Sequence, residues 1–339
     1  MVKKTIVVTG AAGFLGSHLT DALLALGYRV VGIDNLSRGS LENLSPARAC
    51  KDFEFHQEDV CDLPALLRCV DEASAVAHLA AFKIPRYGKA IDTLTINSQG
   101  TLNALQLAAR HQAKFLLAST SDVYGKNPSP PFSETSDCVL GPSTIARWAY
   151  AASKLYDEHL ALAFAEAHGI PVSIARIFGS YGPRQNLTWW GGPQSVFISA
   201  VFRGETIPIH GDGSQTRSFT YVTDTVDGLL RVLEKGPSGQ VFNIGNTHEV
   251  SILRLAHIIH ELAGAGHGSK HEPKLKFVPY DDIGGRKYED VQRRIPDIGK
   301  ARQMLGFSPA TGLEEGLRLT IEWQREALAA REVLATISE

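Results

Sequence analysis

A short apolar run that passes at once into a glycine-rich turn opens the chain. Thr5–Thr9 has the composition of a buried strand, and Gly10, Gly13 and Gly16 follow it at G-x-x-G-x-x-G spacing around Phe14. A helical pattern comes next, so backbone N–H groups and the positive end of a helix dipole converge on one place. Small residues suit this turn because a Cβ would block a phosphate or the helix–strand packing. The segment predicts a dinucleotide site, although such a triplet alone also fits a tight turn.

The first half of the chain alternates short apolar runs with amphipathic stretches. Four of these runs are expected to be strands: Thr5–Thr9, Tyr28–Ile33, Ala75–Leu79 and Lys114–Ser119. This alternation predicts an α/β fold with a Rossmann-type, doubly wound parallel sheet. Beyond about Arg176 the pattern is irregular, which favours a smaller C-terminal α/β substrate-binding lobe. We expect a dinucleotide-binding domain with the catalytic residues over 1–175, and a substrate lobe mainly over 176–339 with some segments returning to the first domain.

The end of the second predicted strand indicates which dinucleotide is bound. Asp34 lies eighteen residues after Gly16, and a carboxylate there binds ribose hydroxyls and repels a 2′-phosphate, which favours NAD over NADP. Arg38 weighs against this preference, because an arginine in that loop can bind a 2′-phosphate. Further candidates for cofactor contact follow the second, third and fourth strand regions, where structural turns are the alternative: Asn35, Asp59, Val60, Leu79, Ala80 and Ala81.

Tyr150 and Lys154 are four residues apart, so on a helix they share one face. A lysine in this position stabilises a phenolate and lowers the pKa of the tyrosine, which makes the tyrosine a general base for a sugar hydroxyl. The spacing alone is also common on solvated helix faces. A cluster of hydroxyl and acidic side chains at the end of the fourth of these strands adds to the signal: Ser119, Thr120, Ser121 and Asp122.

These motifs, together with Asn97-Ser-Gln-Gly-Thr101, occur in the order and spacing that is typical of the extended short-chain dehydrogenases/reductases, and the resemblance covers nearly the whole chain. The resemblance implies that Thr120 binds the 4-hydroxyl of a sugar, that Tyr150 removes its proton and that NAD takes the C4 hydride. It also implies that Lys154 holds the nicotinamide ribose and places Asn97 and Ser119 at the cofactor.

The second half resembles the segments that hold the diphosphate in nucleotide-sugar epimerases, dehydratases and decarboxylases. Arginine suits this role because its guanidinium group binds phosphate oxygens bidentately. Gly179 departs from the pattern, because that position is usually asparagine in the family, and one diphosphate contact is expected to be missing or replaced. The expected substrate-binding residues are Arg86, Tyr87, Gly179, Arg184, Asn186, Arg217 and Arg294.

The residues leave three reactions open after C4 oxidation of a UDP-sugar: 4-epimerisation, decarboxylation of a glucuronate, and 4,6-dehydration. Lys83 resembles a lysine that contacts the cofactor phosphate in UDP-galactose 4-epimerases, whereas the segments around Asp122, Arg217 and Arg294 resemble the uronate decarboxylases. Those decarboxylases and the dehydratases normally have glutamate where this chain has Asp122, which is one methylene shorter. We therefore expect a 4-epimerase first, a UDP-glucuronate decarboxylase second and a dehydratase third. A non-catalytic dinucleotide sensor is disfavoured because Tyr150 and Lys154 are both present.

Composition limits the possible partners. The formal net charge of −2 gives no electrostatic case for nucleic acid. Four irregularly spaced cysteines and the absence of a long apolar stretch favour a cytoplasmic protein without a membrane segment. The histidine pair at 257/260 lies in an apolar helical pattern and the pair at 267/271 in a glycine-rich segment, so no metal is expected.

A homodimer is expected, because Trp148–His168 carries apolar residues around much of its circumference. Related enzymes pair this helix and the one near Thr101–Arg110 across a two-fold axis.

Overall fold

Seven parallel strands form the central sheet in this computed structural model, which describes residues 3–83, 89–264, 272–282 and 288–337. In sheet order the strands are β11, β6, β5, β4, β1, β2 and β3. Their bounds are β1 Thr5–Thr9, β2 Arg29–Ile33, β3 Phe53–His56, β4 Ala75–His78, β5 Lys114–Thr120, β6 Val172–Ile177 and β11 Gln240–Ile244. The Rossmann-type fold expected from the sequence is confirmed.

The register brings the carboxyl ends of the strands to one edge. Thr9 of β1 pairs with Ile33 on one side and with His78 on the other. Thr120 at the end of β5 pairs with Ile177 of β6. Loops that leave these five positions therefore meet at the edge where ligands of open α/β sheets bind.

Helices cover both faces of the sheet. This is why the central strands are mostly apolar: every residue of β1 and of β4 is buried. On one face α4 packs against α5, and on the other α1 packs against α7. The helices are α1 Phe14–Ala25, α2 Ser45–Arg48, α3 Leu63–Cys69, α4 Ala90–Arg110, α5 Trp148–His168, α6 Pro193–Phe202, α7 Val222–Lys235, α8 Ile252–Gly264, α9 Gly299–Leu305 and α10 Leu313–Ile337.

The second half of the chain adds three small sheets beside the main one. Their strands are β7 Ser180–Tyr181, β8 Ile207–His210, β9 Thr216–Ser218, β10 Thr220–Tyr221, β12 Glu249–Ser251, β13 Leu275–Val278 and β14 Arg293–Arg294. The domain boundary expected after residue 175 falls inside β6, and β11 returns to the main sheet after the chain has formed the strands up to β10. Across the described residues no helix is long and apolar enough to cross a membrane.

Candidate active site

A cleft of roughly 1020 Å³ opens along the carboxyl ends of the parallel strands. The loops after β1, β2, β4 and β5 form one wall, and β9, the segment between β7 and α6, and part of α10 form the other. Most residues predicted from the sequence line it: Gly10, Gly13, Phe14, Gly16, Asp34, Asn35, Arg38, Val60, Leu79, Ala80, Ala81, Lys83, Ser119, Thr120, Ser121, Asp122, Tyr150, Gly179, Arg184, Asn186, Arg217 and Arg294.

The glycine turn leaves no room for side chains. Gly10 has a φ of +72°, and a Cβ on it would lie 2.8 Å from the backbone nitrogen of Ala80. A Cβ on Gly16 would lie 2.0 Å from the carbonyl oxygen of Gly10. The turn thus packs against the loop after β4 and starts α1 directly beneath the cleft, a geometry that fits a pyrophosphate at a helix N-terminus.

The carboxylate of Asp34 is fixed at the end of β2. It accepts hydrogen bonds from the backbone N–H groups of Ala12 at 3.0 Å and Leu36 at 2.8 Å. Burial raises the pKa of Asp34, and these backbone bonds oppose the rise. Arg38 turns towards the opposite wall, where its guanidinium carbon lies 4.0 Å from the ring centroid of Trp190. The position of the carboxylate suits a ribose diol.

Tyr150 and Thr120 meet at the centre of the cleft. Thr120 ends β5, Tyr150 lies in the first turn of α5, and their hydroxyl groups are hydrogen-bonded. Thr120 Oγ1 also accepts a hydrogen bond from the backbone N–H of Asp122 at 3.2 Å, which fixes the loop after β5. The geometry places two hydroxyl groups where they can bind and deprotonate one substrate hydroxyl.

Lys154 lies behind Tyr150 and is 1 % exposed. Its Nζ is 3.1 Å from Oδ2 of Asp157, a carboxylate with no exposed surface. The expectation that Lys154 lowers the pKa of Tyr150 needs correction: burial raises the pKa of Tyr150, the charge of Asp157 raises it further, and only the bond with Thr120 opposes this. Since Asp157 compensates the charge of Lys154, the pair alone does not create a phenolate.

Five charged side chains form a cluster in the cleft wall beside Thr120. Asp122 forms an ion pair with Arg294 and lies 3.4 Å from Arg147. Asp290 lies 3.4 Å from the same Arg147 and 2.8 Å from Arg217. Three guanidinium groups thus converge next to the predicted catalytic pair, and each has several N–H donors that can serve a carboxylate and a ligand anion together. We call these five residues the arginine cluster.

Arg294 and Arg217 were expected to hold a diphosphate. The structure places Arg294 against Asp122, on the loop of the predicted catalytic threonine, and therefore beside the predicted catalytic residues. Sequence reasoning missed Arg147 and Asp290 as site residues. One signal for Arg147 was available, because it precedes Tyr150 by three residues and thus lies on the same side of the α5 start.

Several predicted residues lie outside the cleft lining. Asn97 is buried, accepts a hydrogen bond from Phe82 N at 2.7 Å and donates one to Ser153 at 2.9 Å, so it supports the loop after β4 from behind. Asp59 accepts a bond from Asn35 at 2.9 Å at the rim. Arg86 and Tyr87 lie outside the described residues, as do His267 and His271.

Gly179 has no space for an asparagine side chain. Its φ is +45°, and a Cβ would lie 2.1 Å from the carbonyl oxygen of Ser218. Arg184 lines the cleft but forms an ion pair with Asp21 of α1 at 2.7 Å. Asn186 accepts a hydrogen bond from Thr188 N at 3.0 Å, which shapes its loop. Arg176 is buried against Glu158 at 2.7 Å and is not at the cleft.

A parallel sheet with a glycine turn, an acidic residue after β2 and a Tyr/Lys pair beside a threonine defines an extended short-chain dehydrogenase/reductase. The sequence comparison is more specific. Residues 7–320 match the family model described as GDP-mannose 4,6 dehydratase, and the chain belongs to this family of nucleotide-sugar epimerases and dehydratases. The resemblance stated from the sequence is thereby confirmed.

Three known proteins illustrate the range of chemistry in similar chains. The chain is 35 % identical over 337 residues to UDP-N-acetyl-alpha-D-glucosaminuronate decarboxylase of Bacillus cytotoxicus, covering 96 % of this chain and 99 % of that one. It is 38 % identical over 328 residues to UDP-glucuronic acid decarboxylase 1 of Xenopus tropicalis, and the match covers 96 % of this chain and 73 % of that one. The solved structure of UDP-glucuronic acid 4-epimerase of Bacillus cereus, in complex with UDP-glucuronic acid and NAD, superposes on this chain with a TM-score of 0.83 at 31 % identity. The match covers 95 % of this chain and 99 % of that one.

Proposed function

We propose that this protein is an NAD-dependent decarboxylase of a UDP-linked hexuronic acid. The observation that carries the proposal is the contact of Asp122, on the Thr120 loop, with Arg294 and Arg147. Guanidinium groups beside the base that acts on C4 can hold the carboxylate that a uronate has on C5. The decarboxylases to which the chain is similar act on such substrates by name, which supports this reading over the epimerase that the sequence alone placed first.

The first step is oxidation of the C4 hydroxyl. Thr120 and Tyr150 hold this hydroxyl, and Tyr150 takes its proton while the C4–H bond breaks. Bound NAD would supply the hydride acceptor for C4 and, once reduced, a hydride donor. Gly10, Gly13 and Gly16 would hold its pyrophosphate, Asp34 its adenosine ribose and Lys154 its nicotinamide ribose.

The second step follows from the chemistry of the product. A ketone at C4 makes the C5 carboxylate a β-keto acid, so the bond between C5 and the carboxylate carbon can break. Carbon dioxide leaves, the electron pair moves to C5 and the C4 oxygen as an enolate, and C5 then takes a proton. Asp122 is the acidic side chain of the Thr120 loop and can pass that proton from solvent. Arg294 and Arg147 orient the carboxylate before it leaves.

A 4-epimerase acting on a UDP-uronate is the second candidate. Two observations favour it: Asp122 is shorter than the glutamate expected for chemistry at C5, and the fold is similar to that of a UDP-glucuronic acid 4-epimerase. The arginine cluster would hold the carboxylate in either reaction, so the two candidates share a substrate and differ in the fate of the ketone.

Incubation with UDP-glucuronate and with UDP-N-acetylglucosaminuronate is expected to yield carbon dioxide and a UDP-pentose or its 4-keto form, with UDP-glucose unchanged. Product NMR and trapped carbon dioxide measure this directly. A UDP-galacturonate product without carbon dioxide would establish the epimerase. Conversion of UDP-glucose, either to UDP-galactose or to a 4-keto-6-deoxy sugar, would contradict a uronate enzyme altogether.

The outer surface of α4 and α5 supports a homodimer, which we also propose. These helices pack against each other, and large apolar side chains remain exposed on them: Ile91 is 59 % exposed, Leu94 40 % and Tyr156 55 %. A second copy would cover them and stiffen the helix that carries Tyr150. Light scattering at micromolar concentration should report a dimer, and Tyr156→Asp should shift the mass towards the monomer. A monomeric wild type would refute the proposal.

A further inference from the structure

A buried carboxylate lies beside the predicted catalytic pair without being exposed to the cleft. Tyr150, Lys154 and Asp157 occupy positions i, i+4 and i+7 of α5, so they form one stripe along the helix. Asp157 has no exposed surface, and its Oδ2 lies 3.1 Å from Nζ of Lys154, which is 1 % exposed. A buried cation and a buried anion in contact compensate each other, and removing one leaves the other uncompensated.

Among the described residues around Lys154, few other charged groups could take the place of Asp157. His78 of β4 faces Lys154, and burial together with that positive charge lowers the pKa of His78 to about 3, so its ring is neutral. Thr120 of β5 contributes a hydroxyl. Helix α4 packs against α5, and its described buried residues include no ionisable side chain. On the cleft side lie Asp122 and Arg147, which pair with each other.

Asp157 therefore acts on Tyr150 in two ways. It compensates the charge of Lys154, which otherwise would favour a phenolate, and its own negative charge raises the pKa of Tyr150 beyond the effect of burial. A phenolate becomes favourable when another positive charge is near, and the oxidised nicotinamide ring carries one. The reduced ring would be neutral, so Tyr150 would then keep the proton that it takes from the C4 hydroxyl.

We propose that Asp157 is a positioning residue that orients Lys154 and cancels its charge, so that Tyr150 gives up its proton only beside the oxidised cofactor. The inference rests on the proposed roles of Tyr150 and Lys154 in C4 oxidation. It explains how one tyrosine serves as a base in the oxidation and as an acid when a hydride returns. Asp157 needs no contact with substrate for this role.

The test is a pH titration of Tyr150 in the NAD complex. The near-ultraviolet absorbance of tyrosinate is measured as the difference between a protein and the same protein with Tyr150→Phe, with NAD present and no sugar nucleotide. Asp157→Asn should shift the tyrosinate midpoint to lower pH by about one unit or more, and the acidic limb of the C4-oxidation rate should shift with it. Wild type without NAD should form its tyrosinate at a higher pH than wild type with NAD.

Glu158→Gln is the matched control. Glu158 is the next residue of α5 and is equally buried, but its carboxylate pairs with Arg176 at 2.7 Å and accepts a bond from Ser119 at 2.5 Å. This variant should leave the Tyr150 midpoint in place. An unshifted midpoint in folded Asp157→Asn, or an equal shift in Glu158→Gln, would overturn the inference.

A second variant covers the case in which Asp157→Asn does not fold. Lys154→Gln combined with Asp157→Asn removes both buried charges, so no uncompensated charge remains. The Tyr150 midpoint should then stay near that of the wild type, because the two charges act in opposite directions. An upward shift of about one unit or more would show that Lys154 alone matters and would overturn the role of Asp157. The titration uses no sugar nucleotide, so it stands even if the proposed decarboxylation fails.

Discussion

Replacing Tyr150 by phenylalanine is expected to abolish most of the turnover and to leave the binding of NAD and sugar nucleotide nearly unchanged. The variant lacks one hydroxyl, the group that bonds to Thr120 and accepts the C4 proton. A positioned general base contributes roughly 10² to 10⁴ in rate, and we expect a loss of turnover in this range. Steady-state kinetics and calorimetric titration with NAD and UDP-glucuronate measure the two effects separately.

Tyr156→Phe is the matched control for this prediction. Tyr156 lies on the same helix, is 55 % exposed and lies outside the cleft, so loss of its hydroxyl should leave turnover near that of the wild type. Near-wild-type turnover of Tyr150→Phe would remove Tyr150 from the reaction. A loss of NAD binding that equals the loss of turnover would instead make it a residue of the cofactor site.

Replacing Asp122 by asparagine is expected to stall the reaction after C4 oxidation. The substitution keeps the size of the side chain but removes the charge that pairs with Arg294 and Arg147 and the acid that passes a proton to C5. Turnover should fall by roughly 10² or more, as for loss of a general acid, and reduced cofactor should accumulate on the enzyme. Stopped-flow absorbance of NADH after addition of UDP-glucuronate shows this accumulation.

Asp290→Asn separates this effect from a general disturbance of the arginine cluster. Asp290 contacts the same Arg147 but belongs to the segment before β14 and not to the Thr120 loop. Its loss should weaken substrate binding without trapping NADH. If Asp122→Asn keeps at least a tenth of the activity and no NADH accumulates, the 4-epimerase is the better description of the enzyme.

Local patterns of the sequence were sufficient for the parts of the fold that depend on neighbouring residues. The strands expected at Thr5–Thr9 and Lys114–Ser119 are present within one residue, because a buried parallel strand is a continuous apolar run. The sequence also has helical patterns around residues 251–263 and 313–330, and both are present, as α8 and α10, although α10 extends to Ile337. The glycine turn and the Tyr/Lys stripe are equally local, which is why they could be recognised.

The arginine cluster could not be derived in this way. Arg147 meets Asp122 from 25 positions along the chain and Asp290 from 143 positions away. Such contacts depend on where the segment before β14 lies against the start of α5, and the periodicity of the sequence carries no information about that packing. The effect of Lys154 on Tyr150 was misjudged for a related reason, since Asp157 compensates the charge of Lys154 and the sequence does not show that this carboxylate is buried.

Strand β11 joins the two sides of the cleft into one folding unit. The chain leaves the main sheet after β6, forms much of the wall that carries Arg184 and Arg217, and then returns to pair with β6 along residues 240–244. Without that return, β6 would be an unpaired edge whose backbone groups are open to other chains. The two walls should therefore melt together rather than one after the other, and a nucleotide sugar that binds one wall would raise the melting temperature of the other as well.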